Sequence, residues 1–145
     1  MPITPGPRLR EFLSERLLAI IATPGGRGLP EMTPIWFEFH DDFIWFNGQR
    51  TRRWLQRMDA TRRATFFLLD PRNAWRWAQF YGRVVEVSND EQSAHFARLA
   101  ARYGRPLAQP VPDRVFVRMQ ITSVKGRAGT PSEHWDVARD RRISS

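Results

Sequence analysis

Six strand-like runs, each ended by a turn-forming cluster, constrain this chain more than any other feature. Leu17 to Thr23 reads as a buried strand, and Pro24-Gly25-Gly26-Arg27-Gly28 reverses it, because glycine supplies the positive-φ conformations of a tight turn. From Glu31 to His40, Thr33, Ile35, Phe37 and Phe39 alternate with Met32, Trp36, Glu38 and His40, the period of a half-buried strand. Asp41-Asp42 turns the chain into a third run, Phe43 to Asn47. Ala64 to Leu69 is apolar on both faces, as inside a barrel or beneath a helix. After the turn Asp70-Pro71-Arg72-Asn73 come a long strand, Ala74 to Val87, and finally Val115 to Val124.

Three helices fit between these runs. Leu9, Phe12, Leu13 and Leu17 form one stripe of a helix over Arg8 to Leu17. A second is expected over Thr51 to Met58. Ser88 as N-cap and Glu91 three residues on fit a capping box, opening a third helix that runs to Tyr103 and stops at Gly104. The order predicts a mainly β (α+β) fold: a six-stranded antiparallel barrel with short flanking helices at its openings. At 145 residues this is one domain, 1–145, with its core over 10–127 and a polar tail over 128–145.

Composition narrows the chemistry. With no cysteine, disulfide scaffolds, zinc–cysteine sites and thiol nucleophiles are excluded. The longest apolar run, Leu17 to Ala22, is too short to span a bilayer, and the N-terminus lacks a basic segment followed by an apolar one. A cytoplasmic protein with no membrane partner is expected. The formal charge is +8, from 23 Lys+Arg against 15 Asp+Glu, and Lys125 is the one lysine. Arg50, Arg52, Arg53, Arg57, Arg62 and Arg63, offset only by Asp59, carry +5 of that total.

This cluster leaves a strand and enters a helix, where unpaired backbone N–H groups and the helix dipole favour an anion. Arginine forks add bidentate phosphate contacts. The alternative is a solvated helix face. Trp75, Trp77, Gln79 and Tyr81 share one strand face at period two, which suits stacking on a planar ring, barrel packing or a dimer interface. Such a face with clustered arginines also fits a barrel that binds single-stranded nucleic acid. Concentration of charge in one turn, and not along a groove, argues against that partner. His40, His95 and His134 are scattered with no metal-ligand spacing, no serine lies in a nucleophile motif, and no catalytic side chain stands out. Any reactivity then belongs to a cofactor.

Leu18 to Thr23, the glycine turn and Pro30-Glu31-Met32-Thr33-Pro34-Ile35-Trp36-Phe37 resemble the opening hairpin of the pyridoxamine 5′-phosphate oxidase-like FMN-binding split-barrel family. The likeness continues through Phe46 to Arg53, Ala64 to Asp70, Gly82-Arg83-Val84-Val85-Glu86 and Arg114 to Arg118. Closest in character is the short flavin/deazaflavin-dependent oxidoreductase branch. The resemblance implies a split β-barrel homodimer with FMN, or the deazaflavin coenzyme F-420, in the cleft between subunits. That cofactor would pass hydride to or from a small organic substrate, or be held without turnover. By the same resemblance Thr33, Pro34, Ile35 and Trp36 line the ring, and Asn47, Gly48 and Gln49 border the ring and ribityl chain. Arg50, Arg52 and Arg53 match the phosphate-binding turn, and Trp77 and Gln79 approach from the long strand, across the dimer. Trp54 stands where many relatives carry lysine, so the clamp relies on arginine. The chain also lacks a convincing C-terminal substrate segment, so vitamin B6 oxidation is not expected.

Overall fold

A computed structural model describes residues 2–139. In chain order the elements are β1 (Ile3–Pro5), α1 (Pro7–Ser14), β2 (Ala19–Pro24), β3 (Pro30–Ile35), β4 (Phe37–His40) and β5 (Phe43–Gln49). Then follow α2 (Arg53–Thr61), β6 (Arg63–Leu69), β7 (Arg76–Asn89), α3 (Ala94–Arg102), β8 (Arg114–Ala128) and β9 (Val137–Arg139). The main sheet is antiparallel throughout, in the order β3-β2-β6-β7-β8-β5-β4.

The two edges of that sheet, β3 and β4, are consecutive in the chain and separated only by Trp36. The barrel is therefore split: its edges are joined covalently, without a ladder between them. The continuous strand expected over Glu31 to His40 is broken at this point. Before Trp36 the chain pairs with β2, and after it with β5, so it must leave one ladder to enter the other. Tyr103 serves the backbone at the gap. Its hydroxyl accepts from the Phe37 N–H at 3.3 Å and donates to the Leu17 carbonyl. The Trp36 ring stacks on Tyr103, with centroids 5.3 Å apart, and on Phe96 at 6.2 Å.

Alternation survives the break, because Ile35 and Phe37 both face the core. There they meet Phe46, Phe66 and Phe80, all fully buried. Leu9, Phe12 and Leu13 of α1, at i, i+3 and i+4, enter the same core, as do Leu55 and Met58 of α2. Helix α1 ends at Ser14, short of the expected Leu17, since the chain must extend before Ala19 pairs with Ile35 and Leu68.

Two further expectations are corrected. Ser88 and Asn89 do not cap a helix; they remain in β7, paired with Phe116 and Val115. After a 3-10 turn over Glu91–Ser93, the Asp90 carboxylate takes the cap, accepting the His95 and Phe96 N–H groups at 2.8 Å each. The polar tail is also packed as far as it is described. Trp135 is 9% exposed, stacks on Phe12 with centroids 5.0 Å apart, and donates its indole N–H to the Trp77 carbonyl at 2.8 Å. Strand β9 pairs with β1, and the Asp136 carboxylate accepts the Leu9 N–H at 3.1 Å in the first turn of α1. Residues 140–145 of that tail lie outside the described residues. No helix among the described residues is long and apolar enough to cross a membrane.

Candidate functional site

Helix α3 lies over the outer face of β5 and β8, and the edge between it and the Trp36 break forms one wall of a cleft of about 650 Å³. That volume is in the range of small-molecule sites, ~300–1,000 Å³. Thr33, Pro34, Ile35 and Trp36, where the chain crosses between edges, form one side. Asn47, Gly48 and Gln49, at the end of β5, form another. Arg52 and Trp54 close the cleft from the start of α2. Gly48 is small for a reason: a Cβ there would meet the Trp54 ring at 3.0 Å.

The structure thus brings eight of the twelve expected cofactor residues into one place, Arg52 among them. The other four lie elsewhere in this chain. Arg50 turns away to hydrogen-bond the Asn89 side-chain oxygen, and Arg53 is exposed with no ion-pair partner among the described residues. Trp77 and Gln79 are on the outer face of β7, where Trp77 packs on Phe67 at 5.8 Å and Gln79 donates to the Tyr81 hydroxyl at 2.8 Å. A second concavity of about 690 Å³ lies near Arg63, Tyr81 and Arg83 and contains none of the twelve.

Electrostatics in the cleft favour an anion. Helix α2 has no side-chain cap and no acidic residue in its first turn, and its N-cap is Arg52. Arg114, at the start of β8, was not anticipated as a site residue, yet it lines the cleft opposite Gln49. Burial pushes its pKa below the ordinary value; Asp90 opposes this and the charge of Arg52 adds to it.

Behind the cleft a polar network is buried under α3. The Asn47 side-chain nitrogen lies 3.0 Å from both Asp90 Oδ2 and His95 Nδ1, and its oxygen accepts Arg114 Nε at 2.8 Å. His95 Nε2 is 3.3 Å from Glu38 Oε1, and Arg98 Nε reaches the same carboxylate at 3.1 Å. Burial acts to raise the Glu38 pKa, but His95 and Arg98 outweigh it and hold it at about 2, against 4.5 ordinarily. A depressed carboxylate adds stability that is full above its unfolded value and lost as pH falls toward its folded one. Glu38→Gln should therefore cost roughly 1–2 kcal/mol at neutral pH, allowing for solvent screening. Its deficit should shrink between pH 4.5 and 2 in urea melts at stepped pH. Asp70, held low chiefly by the Arg72 backbone N–H, leaves both proteins acid-sensitive in common.

The comparisons with known proteins bear on the family and the fold. Residues 6–128 match the profile of the family described as pyridoxamine 5′-phosphate oxidase. An F420 reductase superposes with a TM-score of 0.75 at 24% identity, over 79% of this chain and 94% of that one. The conserved hypothetical protein Rv2991 from Mycobacterium tuberculosis gives 0.68 at 20% identity, over 93% and 87%. General Stress Protein 26 from Bacillus anthracis gives 0.68 at 10% identity, over 92% and 96%. These likenesses establish the fold. No curated protein matches the sequence as a relative. With the profile covering most of its length, the chain belongs to the pyridoxamine 5′-phosphate oxidase family.

Proposed function

We propose that the protein is an oxidoreductase that holds FMN or a deazaflavin in this cleft. The observation that carries the reading is the meeting of Thr33–Trp36, Asn47–Gln49 and Arg52 around an uncapped helix N-terminus. The residues fit the cofactor: a phosphate matches the start of α2 and its arginine, while Pro34, Trp36 and Trp54 offer flat or apolar surface to a ring. Such a group supplies hydride transfer when bound. The chain's own part is to orient it: Arg52 anchors the charged end, and the Trp36 stack keeps the crossing segment rigid.

The outer face of β6 and β7 supports a homodimer. Leu69 and Tyr81 there are 45% and 43% exposed and Trp75, in the turn just before β7, is 52% exposed, an apolar patch that a second copy would cover. Trp77 and Gln79 of that copy would then approach the cleft. The test is spectroscopic titration of the purified protein with FMN and with coenzyme F-420, with sedimentation of the loaded species. One of the two cofactors should bind with a shifted absorption band and sediment with a dimer. Arg52→Gln should weaken that binding about 30-fold, the loss of a charge-assisted phosphate contact. Binding of neither cofactor would overturn the reading.

A further inference from the structure

We propose that Arg114 is the second cation of the phosphate clamp and that Asn47 is a positioning residue acting through it, an inference that rests on the cofactor reading above. Arg52 is the only cation that α2 places in the cleft. Arg114 reaches the same end from a different element. It pairs with Gln49 in the β5–β8 ladder, and the Arg50 N–H donates to the Asp113 carbonyl at 2.7 Å, tying the approach to α2 to the start of β8.

The orientation of the Arg114 fork is fixed from two sides. Its Nε donates to Asn47 at 2.8 Å, and its guanidinium carbon lies 3.6 Å from the centroid of the Phe96 ring. Its two terminal nitrogens have no hydrogen-bond acceptor among the described residues. No carboxylate stands within ion-pair distance of Arg114 among those residues either. Asp90 is near, but its oxygens already accept the His95 and Phe96 N–H groups and the Asn47 amide. A half-buried guanidinium that faces a cleft, is repelled by Arg52 and has no carboxylate within ion-pair distance, Asp90 attracting it only from farther off, is stabilised by an incoming oxyanion.

Asn47 itself has nothing left to donate. One N–H is directed at Asp90 Oδ2 and the other faces His95 Nδ1, which accepts it in the tautomer that carries its proton on Nε2 toward Glu38, and the Asn47 oxygen accepts from Arg114. The partners also fix which way the amide points, since acceptors face the nitrogen and a donor faces the oxygen. Asn47 therefore contributes to ligand binding by holding Arg114 in the plane that a phosphate requires.

The experiment compares FMN with riboflavin, which lacks the phosphate, in titrations of the full chain. Arg114→Gln should weaken FMN about 30-fold and leave riboflavin unchanged. Asn47→Leu should weaken FMN about 10-fold and spare riboflavin, and the double variant should bind FMN no more weakly than Arg114→Gln alone. If Asn47→Leu does not fold, Asn47→Ser takes its place. A parallel arm uses pyrophosphate, which should raise the wild-type Tm and leave that of Arg114→Gln unmoved. Unchanged FMN affinity in Arg114→Gln would overturn the clamp and leave the cofactor reading intact. Equal weakening of FMN and riboflavin by the Asn47 variant would assign that residue a merely structural role. Pyrophosphate protection through Arg114, with no flavin or deazaflavin bound, would sustain the phosphate site and remove the redox reading. Neither ligand acting on the wild type would remove both.

Discussion

Replacing Gly126 with alanine is expected to cost about 4 kcal/mol, combining overpacking with backbone strain, and to lower Tm by roughly 12 °C. Gly126 lies in β8 opposite Ala78, inside the long β7–β8 ladder. A Cβ there would sit 2.1 Å from the Trp77 carbonyl oxygen, 3.0 Å from the Ala78 Cα and 3.0 Å from Trp135 Nε1. The first two are backbone atoms and cannot swing aside. Because the same carbonyl accepts the Trp135 indole N–H, the alanine must either part the two strands or evict Trp135 from Phe12. The φ of +153° adds strain for any residue with a side chain. Gly129 separates the two effects. Its φ is +131°, but nothing lies within 4 Å of its virtual Cβ, so Gly129→Ala should cost only about 1 kcal/mol. Urea denaturation of both variants gives the comparison, and equal losses would show that crowding at Gly126 is relieved without penalty.

Much of this fold could be read from local pattern, and the exceptions share a cause. Period-two alternation put Ile35 and Phe37 on one face, which is the buried one, whereas Ala64 to Leu69, apolar on both faces, gave no such cue to the inward Phe66 and Leu68. It passed silently over the break at Trp36, because changing ladders leaves the alternation untouched. Ser88 and Glu91 have the spacing of a capping box, yet pairing with β8 keeps Ser88 extended, and Asp90 takes the cap from two residues further on. In each case a partner distant in sequence overruled a local preference. Trp135 escaped notice because one aromatic among polar neighbours makes no period. The candidate site divides in the same way. Thr33–Trp36 and Asn47–Gln49 are named only through the family resemblance of the segments that hold them, and they line one cleft. Arg114 lies 67 residues from the Asn47 that orients it, and no spacing rule connects them. For Trp77 and Gln79, the alternation gives the face they occupy, whereas what that face meets is a property of an assembly.

The Asp90→Ala variant should lose about 3 kcal/mol, with roughly half from the helix cap and half from buried donors left unpaired. Asp90 stands where the sheet, helix α3 and the cleft meet: its own N–H donates to the Arg114 carbonyl at 2.9 Å, while its carboxylate serves α3 and Asn47. Alanine leaves the His95 and Phe96 N–H groups uncapped and removes one partner of the Asn47 amide in a dry interior. Asparagine should rescue little. Three N–H donors converge on the two carboxylate oxygens, and an amide offers only one acceptor atom to meet them. Urea melts should place Asp90→Asn near Asp90→Ala, with Tm about 10 °C below the wild type in both. Hydrogen exchange should locate the loss in the first turn of α3, with β2 and β6 little changed in relative protection. The alternative is that packing of α3 against Trp45 and Phe116 holds the helix without its cap. In that event the alanine variant would keep both its stability and its α3 protection. Asp90 would then matter only through Asn47, and its replacement would be felt in phosphate binding alone.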